Sequence, residues 1–195
     1  GYSVLLHTYV DGQGVIVFFE PLTTIKSSAF KNCSSLTSVT IPDSVTTIGN
    51  GAFSGCSSLR EFNGKYASED GRCLIIDGTL NSFAPARLTE YTIPNSVTTI
   101  GDNAFSGCSS LTSITIPDSV TTIGLGPFSG CSSLTSVTIP DSVTSILTSA
   151  FYGCSSLTSV YCKAITPPIT DFILWGYWRA FDYNASGRKI YVPRE

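Results

Sequence analysis

Apolar and polar residues alternate in short runs along this chain, and a turn signal follows each run. In the copy that begins at Leu36, the alternation over residues 38–41 predicts a short strand whose aliphatic side chains point inward. Pro42 ends this strand, because proline cannot donate to a strand ladder. Residues 52–56, which close the copy, have apolar side chains at helical spacing and predict a short helical turn.

The whole unit recurs every 23 residues and aligns on cysteine, at Cys33, Cys56, Cys108, Cys131 and Cys154. Other apolar residues form columns in the same alignment: Phe30, Phe53, Phe105, Phe128 and Phe151; Ile25, Ile48, Ile100, Ile123 and Ile146; Leu36, Leu59, Leu111, Leu134 and Leu157. A repeat of this length is typical of a solenoid, whose coils bury their apolar side only against neighbouring coils. We therefore predict an α/β solenoid of the leucine-rich-repeat type, with short parallel strands on one face and short helical turns on the other.

The spacing of these two kinds of element predicts a curve. Neighbouring strands lie about 4.8 Å apart, whereas packed helical elements need about 8 to 10 Å. The strands are therefore expected on the concave face and the turns on the convex face. The same spacing would hold the repeat cysteines beyond the roughly 7 Å Cα limit of a disulfide, so we expect five buried, reduced thiols.

One long gap, from Cys56 to Cys108, holds a degenerate unit six residues longer than the others. Within it, Asp77-Gly78 between apolar runs favours a β-hairpin with a type I′ turn, which we expect on the convex side. A second hairpin-like stretch lies at residues 9–17. We predict one domain over residues 1–195, with an N-terminal cap (1–21), regular repeats (22–62 and 89–162), a degenerate repeat with the hairpin (63–88) and an irregular C-terminal cap (163–195).

Composition limits the partners and cofactors. The net charge is −3 and only 11 residues are Lys or Arg, so we expect no nucleic-acid partner. The longest apolar run, residues 15–19, is far shorter than the roughly 20 residues of a membrane-spanning helix. The first residues contain no Met and no basic stretch leading into an apolar one, so we expect any export signal to lie outside this sequence. No cofactor or metal is expected, because residues 124–127 lack the third glycine of a dinucleotide loop and stacked cysteines do not converge on a metal ion.

The consensus of the copies reads Leu-x-x-Val/Ile-x-Ile-Pro-Asp-Ser-Val-Thr-x-Ile-x-x-x-Ala-Phe-x-x-Cys. This pattern closely resembles the BspA-like, or Treponema pallidum-type, leucine-rich repeat, and the resemblance extends from Leu22 to about Cys162. The copies and the insert are most similar to proteins of gut Bacteroides and their relatives. The resemblance implies an exported bacterial protein of the cell surface, whose repeats act in adhesion to host proteins or to other cells.

The outward positions of the predicted strands form the candidate binding face. Two columns run along it: Ser38, Glu61, Glu90, Ser113, Ser136 and Ser159 in the first, and Thr40, Asn63, Thr92, Thr115, Thr138 and Tyr161 in the second. Glu61 and Glu90 fall on adjacent predicted strands, where they would lie about 5 Å apart. We interpret them as a solvated pair or as a contact for a cation or a basic partner. The spacing also fits a retaining glycosidase, but an open sheet offers neither a sugar-shaped cleft nor a raised carboxyl pKa.

An aromatic segment near the C-terminus has two interpretations. It contains Trp175, Tyr177 and Trp178. These side chains form either a lid on the last coil or an exposed platform for a sugar ring or a protein. The need to cover the last coil favours the lid.

A column of turn residues, Asp43, Asp118 and Asp141 with Asn95 in the odd unit, also has two interpretations. Carboxylates in a row suggest calcium, but turn capping explains both residue types. His7 is the only histidine and lies in the N-terminal cap, which argues against a Ser-His-Asp triad.

The leading hypothesis is a non-enzymatic adhesion protein that engages host or microbial macromolecules, protein or glycan, through the concave face. Repetition of weak polar contacts would supply the affinity. The alternatives are a carbohydrate-binding module centred on the aromatic segment and a structural spacer without a ligand of its own. We expect a monomer, located at the cell surface or outside the cell as the family resemblance implies.

Overall fold

The computed structural model describes the backbone of residues 4–10, 13–18, 21–164, 169–170 and 179–193, and the side chains of residues 21–164 and 180–193. The strands, in chain order, are β1 (Val4–Val10), β2 (Gln13–Phe18), β3 (Thr24–Ile25), β4 (Ser38–Thr40), β5 (Thr47–Ile48), β6 (Glu61–Asn63), β7 (Cys73–Ile76), β8 (Thr79–Phe83), β9 (Glu90–Thr92), β10 (Thr99–Ile100), β11 (Ser113–Thr115), β12 (Thr122–Ile123), β13 (Ser136–Ile139), β14 (Ser145–Ile146), β15 (Ser159–Cys162), β16 (Ile169–Thr170) and β17 (Lys189–Tyr191). A 3-10 helix spans Arg179–Phe181.

Each coil contributes strands to two parallel ladders. In the first ladder β4 pairs with β6, β9 with β11, and β15 with both β13 and β17. In the second ladder β3 pairs with β5, and β8, β10, β12, β14 and β16 pair in that order. Equivalent residues of successive copies lie opposite each other, as Ser136 and Ser159 do, so the predicted stacking is confirmed. The sequence pattern did not reveal the second ladder, because most of its strands are two residues long and show no alternation of their own.

The Ala-Phe-x-x-Cys stretches form hydrogen-bonded turns instead of the predicted helical turns. Alternate backbone N–H groups of these turns bond to the next coil: Phe128 donates to Ala150 O at 2.9 Å and Gly130 to Tyr152 O at 2.8 Å. An α-helix would need such N–H groups for carbonyls four residues earlier, so the two arrangements exclude each other. Gly130 also has a φ of +74°, a left-handed conformation that ends a helical path.

The turns are spaced as closely as the strands. The ring centroids of Phe105 and Phe128 are 5.1 Å apart, and those of Phe128 and Phe151 are 5.0 Å apart, close to the roughly 4.8 Å between paired strands. The wide helical spacing on which the expected concave curvature depends is therefore absent from these coils. That the first ladder lies on a concave face stays a prediction.

The predicted apolar columns fill the core. Side chains that are no more than 3% exposed include those of Phe53, Phe105, Phe128 and Phe151. The core consists of two clusters that meet at β7, which contributes Leu74 to the N-terminal cluster and Cys73 to the C-terminal one. Because each column residue is covered mainly by its counterparts in the adjacent coils, stability depends on the succession of coils.

Both predicted hairpins are present. β1 and β2 pair antiparallel at the N-terminus, and their role as a cover for the first coil stays a prediction. β7 and β8 pair antiparallel around Asp77 (φ +48°) and Gly78 (φ +74°), as a type I′ turn requires. This second hairpin does not lie on the turn side as predicted, because β8 continues the second ladder and places Leu80 opposite Ile100.

The degenerate unit lacks the turn that other coils carry. The turns of its two neighbours therefore meet directly, and Gly55 N donates to Ser106 O at 3.3 Å. Phe83 takes the place of the repeat phenylalanine, with its ring centroid 4.6 Å from that of Phe105. The turn side thus skips the degenerate unit, whereas the second ladder includes it through β8.

In the described part of the predicted C-terminal cap, the repeat pattern of the coils continues. β16 and β17 extend the two ladders, and the rings of Phe181 and Phe151 stack with centroids 5.1 Å apart and an interplanar angle of 1°. Gly153 N donates to Asp182 O at 2.9 Å, the type of bond that joins the earlier turns. Arg188 then covers the end of the phenylalanine column, with its guanidinium carbon 5.3 Å from the Phe181 ring centroid.

Candidate functional site

The outward side chains of the first ladder form a candidate surface that we call the strand face. It comprises the two predicted columns, Ser38, Glu61, Glu90, Ser113, Ser136 and Ser159, and Thr40, Asn63, Thr92, Thr115, Thr138 and Tyr161. All of these are exposed except Ser159, which is half-buried. Equivalent positions are side by side, as Thr92 lies opposite Thr115. Inward residues such as Ile114 are buried, so the core supports this surface from behind.

The predicted pairing of the strands that carry Glu61 and Glu90 is wrong. β6 and β9 belong to separate sheets, and Phe62 N on β6 donates to Gly71 O of the insert at 2.7 Å. A Cβ atom on Gly71 would lie 3.4 Å from the Cβ of Glu61. The expected 5 Å separation assumed that consecutive repeats always pair, whereas the insert lies beside β6 and breaks the ladder. The argument for a glycosidase-like carboxylate pair therefore loses its geometric basis.

The insert is held in place by a hydrogen-bond network around Asp70. Its Oδ1 accepts from Ser68 Oγ at 2.6 Å and from Arg72 N at 3.0 Å, and its Oδ2 accepts from Tyr91 Oη at 3.1 Å. Partial burial acts to raise the pKa of Asp70, but these hydrogen bonds and the Arg72 charge together lower it. The Tyr91 hydroxyl also lies 3.2 Å from Cys73 Sγ, so the network ties the insert to β9.

Many repeated hydroxyls have a structural role that the sequence analysis missed. Threonine hydroxyls donate to the backbone carbonyl of the equivalent threonine one coil earlier, in the pairs Thr46–Thr23, Thr112–Thr89, Thr121–Thr98, Thr135–Thr112, Thr144–Thr121 and Thr158–Thr135. Ser44, Ser119 and Ser142 bridge adjacent coils in the same way. Among the side chains that the structure describes, no hydroxyl of the strand face takes part in these bonds. The spacing of threonines by 23 residues is the signal that could have indicated this role.

The strand face ends in two stacked tyrosines. The ring centroids of Tyr161 and Tyr191 are 4.7 Å apart with an interplanar angle of 10°, and the residues are 44% and 43% exposed. β17 places Tyr191 opposite Tyr161. The sequence analysis did not include Tyr191 in the strand face, because it lies beyond the last recognisable copy of the repeat. The predicted aromatic platform, Trp175, Tyr177 and Trp178, lies outside the described residues.

The repeat cysteines are free, as predicted. Their thiols donate to phenylalanine carbonyls of the preceding coil, in the pairs Cys56–Phe30 at 3.1 Å, Cys131–Phe105 at 3.3 Å and Cys154–Phe128 at 3.1 Å. Burial raises the pKa of Cys56 to about 11 and that of Cys154 to about 12. Cys33 is exposed, so the expectation of five buried thiols was wrong for the first coil, where no earlier repeat turn precedes it.

The Ile-Pro-Asp turns make contacts typical of exposed turns. Val45 N donates to Pro42 O at 3.0 Å, which closes the turn around Asp43. Asp118 and Lys163 form a long ion pair at 3.9 Å, and both side chains are exposed. Within the described ranges no group of three or more His, Cys, Asp or Glu side chains is placed to hold a metal ion. The backbone bond that closes the turn favours a structural role for this column.

Two parallel ladders backed by columns of leucine, isoleucine and phenylalanine define a leucine-rich-repeat solenoid. The model of one such family, described as the BspA type Leucine rich repeat region, matches this chain in six copies over residues 14–68 and 79–173. The chain therefore belongs to the BspA-type leucine-rich-repeat family, as its consensus predicted.

Several solved structures with this fold are proteins of bacteria. A leucine rich cell surface protein of Faecalibacterium prausnitzii is 25% identical with a TM-score of 0.62, over 89% of this chain and 52% of that one. A leucine-rich repeat protein of Bacteroides capillosus is 25% identical with a TM-score of 0.53, over 67% of this chain and 100% of that one. One from Eubacterium ventriosum is 25% identical with a TM-score of 0.54, over 78% and 40%.

The chain spans about half the length of the F. prausnitzii protein. A comparison with curated proteins found no match. In the part of the chain that the structure describes, no helix has the length and apolar character needed to cross a membrane.

Proposed function

We propose that this chain is a non-enzymatic binding module exposed on a bacterial cell surface, and that it binds a protein partner through the strand face. The observation that carries the proposal is the separation of roles among its hydroxyls. Those of the threonine ladders hold the coils together, whereas those of the strand face, such as Thr115, are exposed and backed by core. The similarity to a cell surface protein of F. prausnitzii supports the location.

The chemistry of the strand face suits an extended partner. Where its strands pair, the side chains repeat at the strand spacing of about 4.8 Å, so a partner segment lying along paired strands meets a similar polar position at each coil. Each such contact is weak, and repetition along the face or over many copies on a cell raises the overall affinity. Tyr161 and Tyr191 add an aromatic anchor at one end, of the type that dominates binding energy in protein interfaces.

The test is a binding screen against immobilised extracellular-matrix proteins and bacterial surface proteins. Thr115→Arg places bulk and charge in the centre of the strand face, and Ser109→Arg places the same group on the exposed turn side. We expect a protein that binds the native chain to lose at least about tenfold in affinity with Thr115→Arg and to bind Ser109→Arg unchanged. Equal binding by both variants, or no binding above background across the screen, contradicts the proposal.

Carbohydrate binding is the second candidate, and the stacked exposed rings of Tyr161 and Tyr191 favour it. A glycan array probed with the native chain and with Tyr191→Ala tests it. Glycan binding that is lost in Tyr191→Ala, together with an empty protein screen, would make this the better assignment.

A further inference from the structure

A depression of about 400 Å³ opens where the insert meets the turn that follows β9. The residues that line it are Ser68, Glu69, Asp70, Ile75, Pro94 and Ser96. Its volume lies within the roughly 300 to 1,000 Å³ of sites that hold small ligands. Ile75 and Pro94 are half-buried, whereas both carboxylates are exposed. The depression therefore combines an apolar surface with two negative charges.

One of these carboxylates is fixed in position. Asp70 accepts hydrogen bonds from Ser68, from the Arg72 backbone and from Tyr91, so it cannot turn away from the depression without breaking them. The cation nearest in sequence, Arg72, directs its guanidinium to the carbonyl oxygens of Ala84 and Ala86, at 3.2 Å from each. That guanidinium is thus held by backbone acceptors, and Asp70 keeps one lone pair, on Oδ2, for a further donor.

We propose that this depression binds the side chain of an arginine on an extended protein segment that lies along the strand face. A guanidinium donates several hydrogen bonds in a plane and suits neighbouring carboxylates such as Glu69 and Asp70. The aliphatic stem of arginine packs on apolar surface while its charged end stays polar, and Ile75 and Pro94 supply such a surface. The inference rests on the proposed function, since it names a feature of the same protein partner.

A bound metal ion fits this chemistry less well. Calcium takes about six to eight oxygen ligands, whereas two of the six lining residues are apolar and two carry only a hydroxyl. Every ionisable side chain in the lining is acidic, so charge complementarity favours a positively charged group on the partner.

The test uses the full chain and two peptides, acetyl-Gly-Arg-Gly-amide and the same peptide with citrulline, which keeps the shape of arginine but not its charge. Backbone amide NMR shifts are followed during titration with each peptide. We expect saturable shifts confined to residues 68–75 and 94–96 with the arginine peptide, and much smaller ones with the citrulline peptide. Equal shifts with both peptides, or arginine shifts spread over unrelated carboxylates, would overturn the proposal.

Two variants sharpen the result without disturbing the Asp70 network. Glu69→Gln removes one exposed charge and should weaken arginine-peptide binding roughly tenfold, the effect of losing one charge-assisted hydrogen bond. Asp141→Asn removes an equally exposed carboxylate from a distant turn and should leave binding unchanged. Unchanged binding by Glu69→Gln contradicts the site.

The tripeptide titration and the strand-face screen can fail separately. The peptides are too short to cover the strand face, so their failure leaves the proposed function in place. A screen in which Thr115→Arg has no effect refutes the strand face as the binding surface but does not alter the NMR result at the depression.

Discussion

Asn184 donates a hydrogen bond from Nδ2 to the carbonyl oxygen of Phe151 at 2.7 Å. In the coil before, Cys154 Sγ makes the equivalent bond to Phe128 at 3.1 Å, so Asn184 occupies the site of the next repeat cysteine. Its second polar atom, Oδ1, accepts from Arg188 Nη1 at 2.8 Å. At the last coil, the Asn184 amide therefore takes the place of a repeat cysteine and links Phe151 to Arg188 by hydrogen bonds.

Asn184→Ala should destabilise the protein by about 1 to 2 kcal/mol, because it removes two hydrogen bonds, one of them to a charged group. Asn184→Cys should recover part of this loss, since it restores the donor that the earlier coils use. Urea unfolding followed by circular dichroism measures both changes, with Ser186→Ala at an exposed position as the control. An Asn184→Ala variant as stable as the control would show that the Asn184 side chain does not stabilise the C-terminal coil.

Phe105→Ala should cost about 3 to 5 kcal/mol, as truncation of a large buried aromatic side chain does. The Phe105 ring lies between those of Phe83 and Phe128, with centroids 4.6 and 5.1 Å away, so the cavity opens in the middle of the column. Thr115→Ala on the strand face should change the free energy of unfolding by less than about 0.5 kcal/mol. Chemical denaturation compares the two, and similar costs would contradict their assignment to core and surface.

Thiol reactivity should separate Cys33 from the buried cysteines. Cys33 is exposed, whereas burial raises the pKa of Cys56 from 9.0 to about 11, so the Cys56 thiol stays neutral at pH 8 and is inaccessible to reagent. Labelling with a maleimide and mass mapping should find Cys33 modified first, and Cys56, Cys131 and Cys154 modified only on unfolding. Equal labelling rates across these four would show that the thiol column is open to solvent.

The same pKa shift predicts a loss of stability in alkali. The folded state disfavours the Cys56 thiolate, so the contribution of this thiol is complete below its unfolded pKa of 9.0 and declines as the pH rises through about 11. The alkaline loss should be smaller in Cys56→Ala, relative to its own stability at neutral pH. A parallel decline in both proteins would assign the effect to other groups.

The lowered pKa of Asp70 predicts a loss of stability in acid, in contrast to the loss in alkali expected from Cys56. Its folded pKa lies below 3.8, so the carboxylate stabilises the insert at neutral pH, and this contribution is lost as the pH falls below 3.8. Asp70→Asn should therefore be less stable than the native chain between about pH 5 and pH 7, and the difference should shrink in stronger acid. A difference that is constant down to pH 2 would show that the Asp70 charge is not what holds the insert.

The features predicted correctly from sequence are those that repeat. The columns of phenylalanine, isoleucine and leucine follow directly from the 23-residue period, because a solenoid places equivalent residues next to each other. The Asp77-Gly78 turn was also predictable, since few residue pairs tolerate positive φ at both positions. In both cases a local signal and the global arrangement agree.

The errors arise where contacts between coils override local patterns. Residues 52–56 have helical spacing, but alternate N–H groups of such turns bond across coils. The Glu61 and Glu90 positions follow the repeat, but Gly71 bonds to β6 in place of a strand. Asn184 differs in side-chain type from the cysteine it replaces, so an alignment on cysteine does not find it.

The central claim is that in the regular coils the turns, as well as the strands, are hydrogen-bonded to the next coil, which makes the strand face rigid. Amide hydrogen exchange tests it at Phe105, Gly107, Phe128 and Gly130, whose N–H groups donate to the following coil at 2.8 to 2.9 Å. We predict that these turn amides exchange as slowly as those of the buried strand residues Ile114 and Val137, through global unfolding. Exchange of the four turn amides near the unfolded-chain rate, with the strands still protected, would contradict the account.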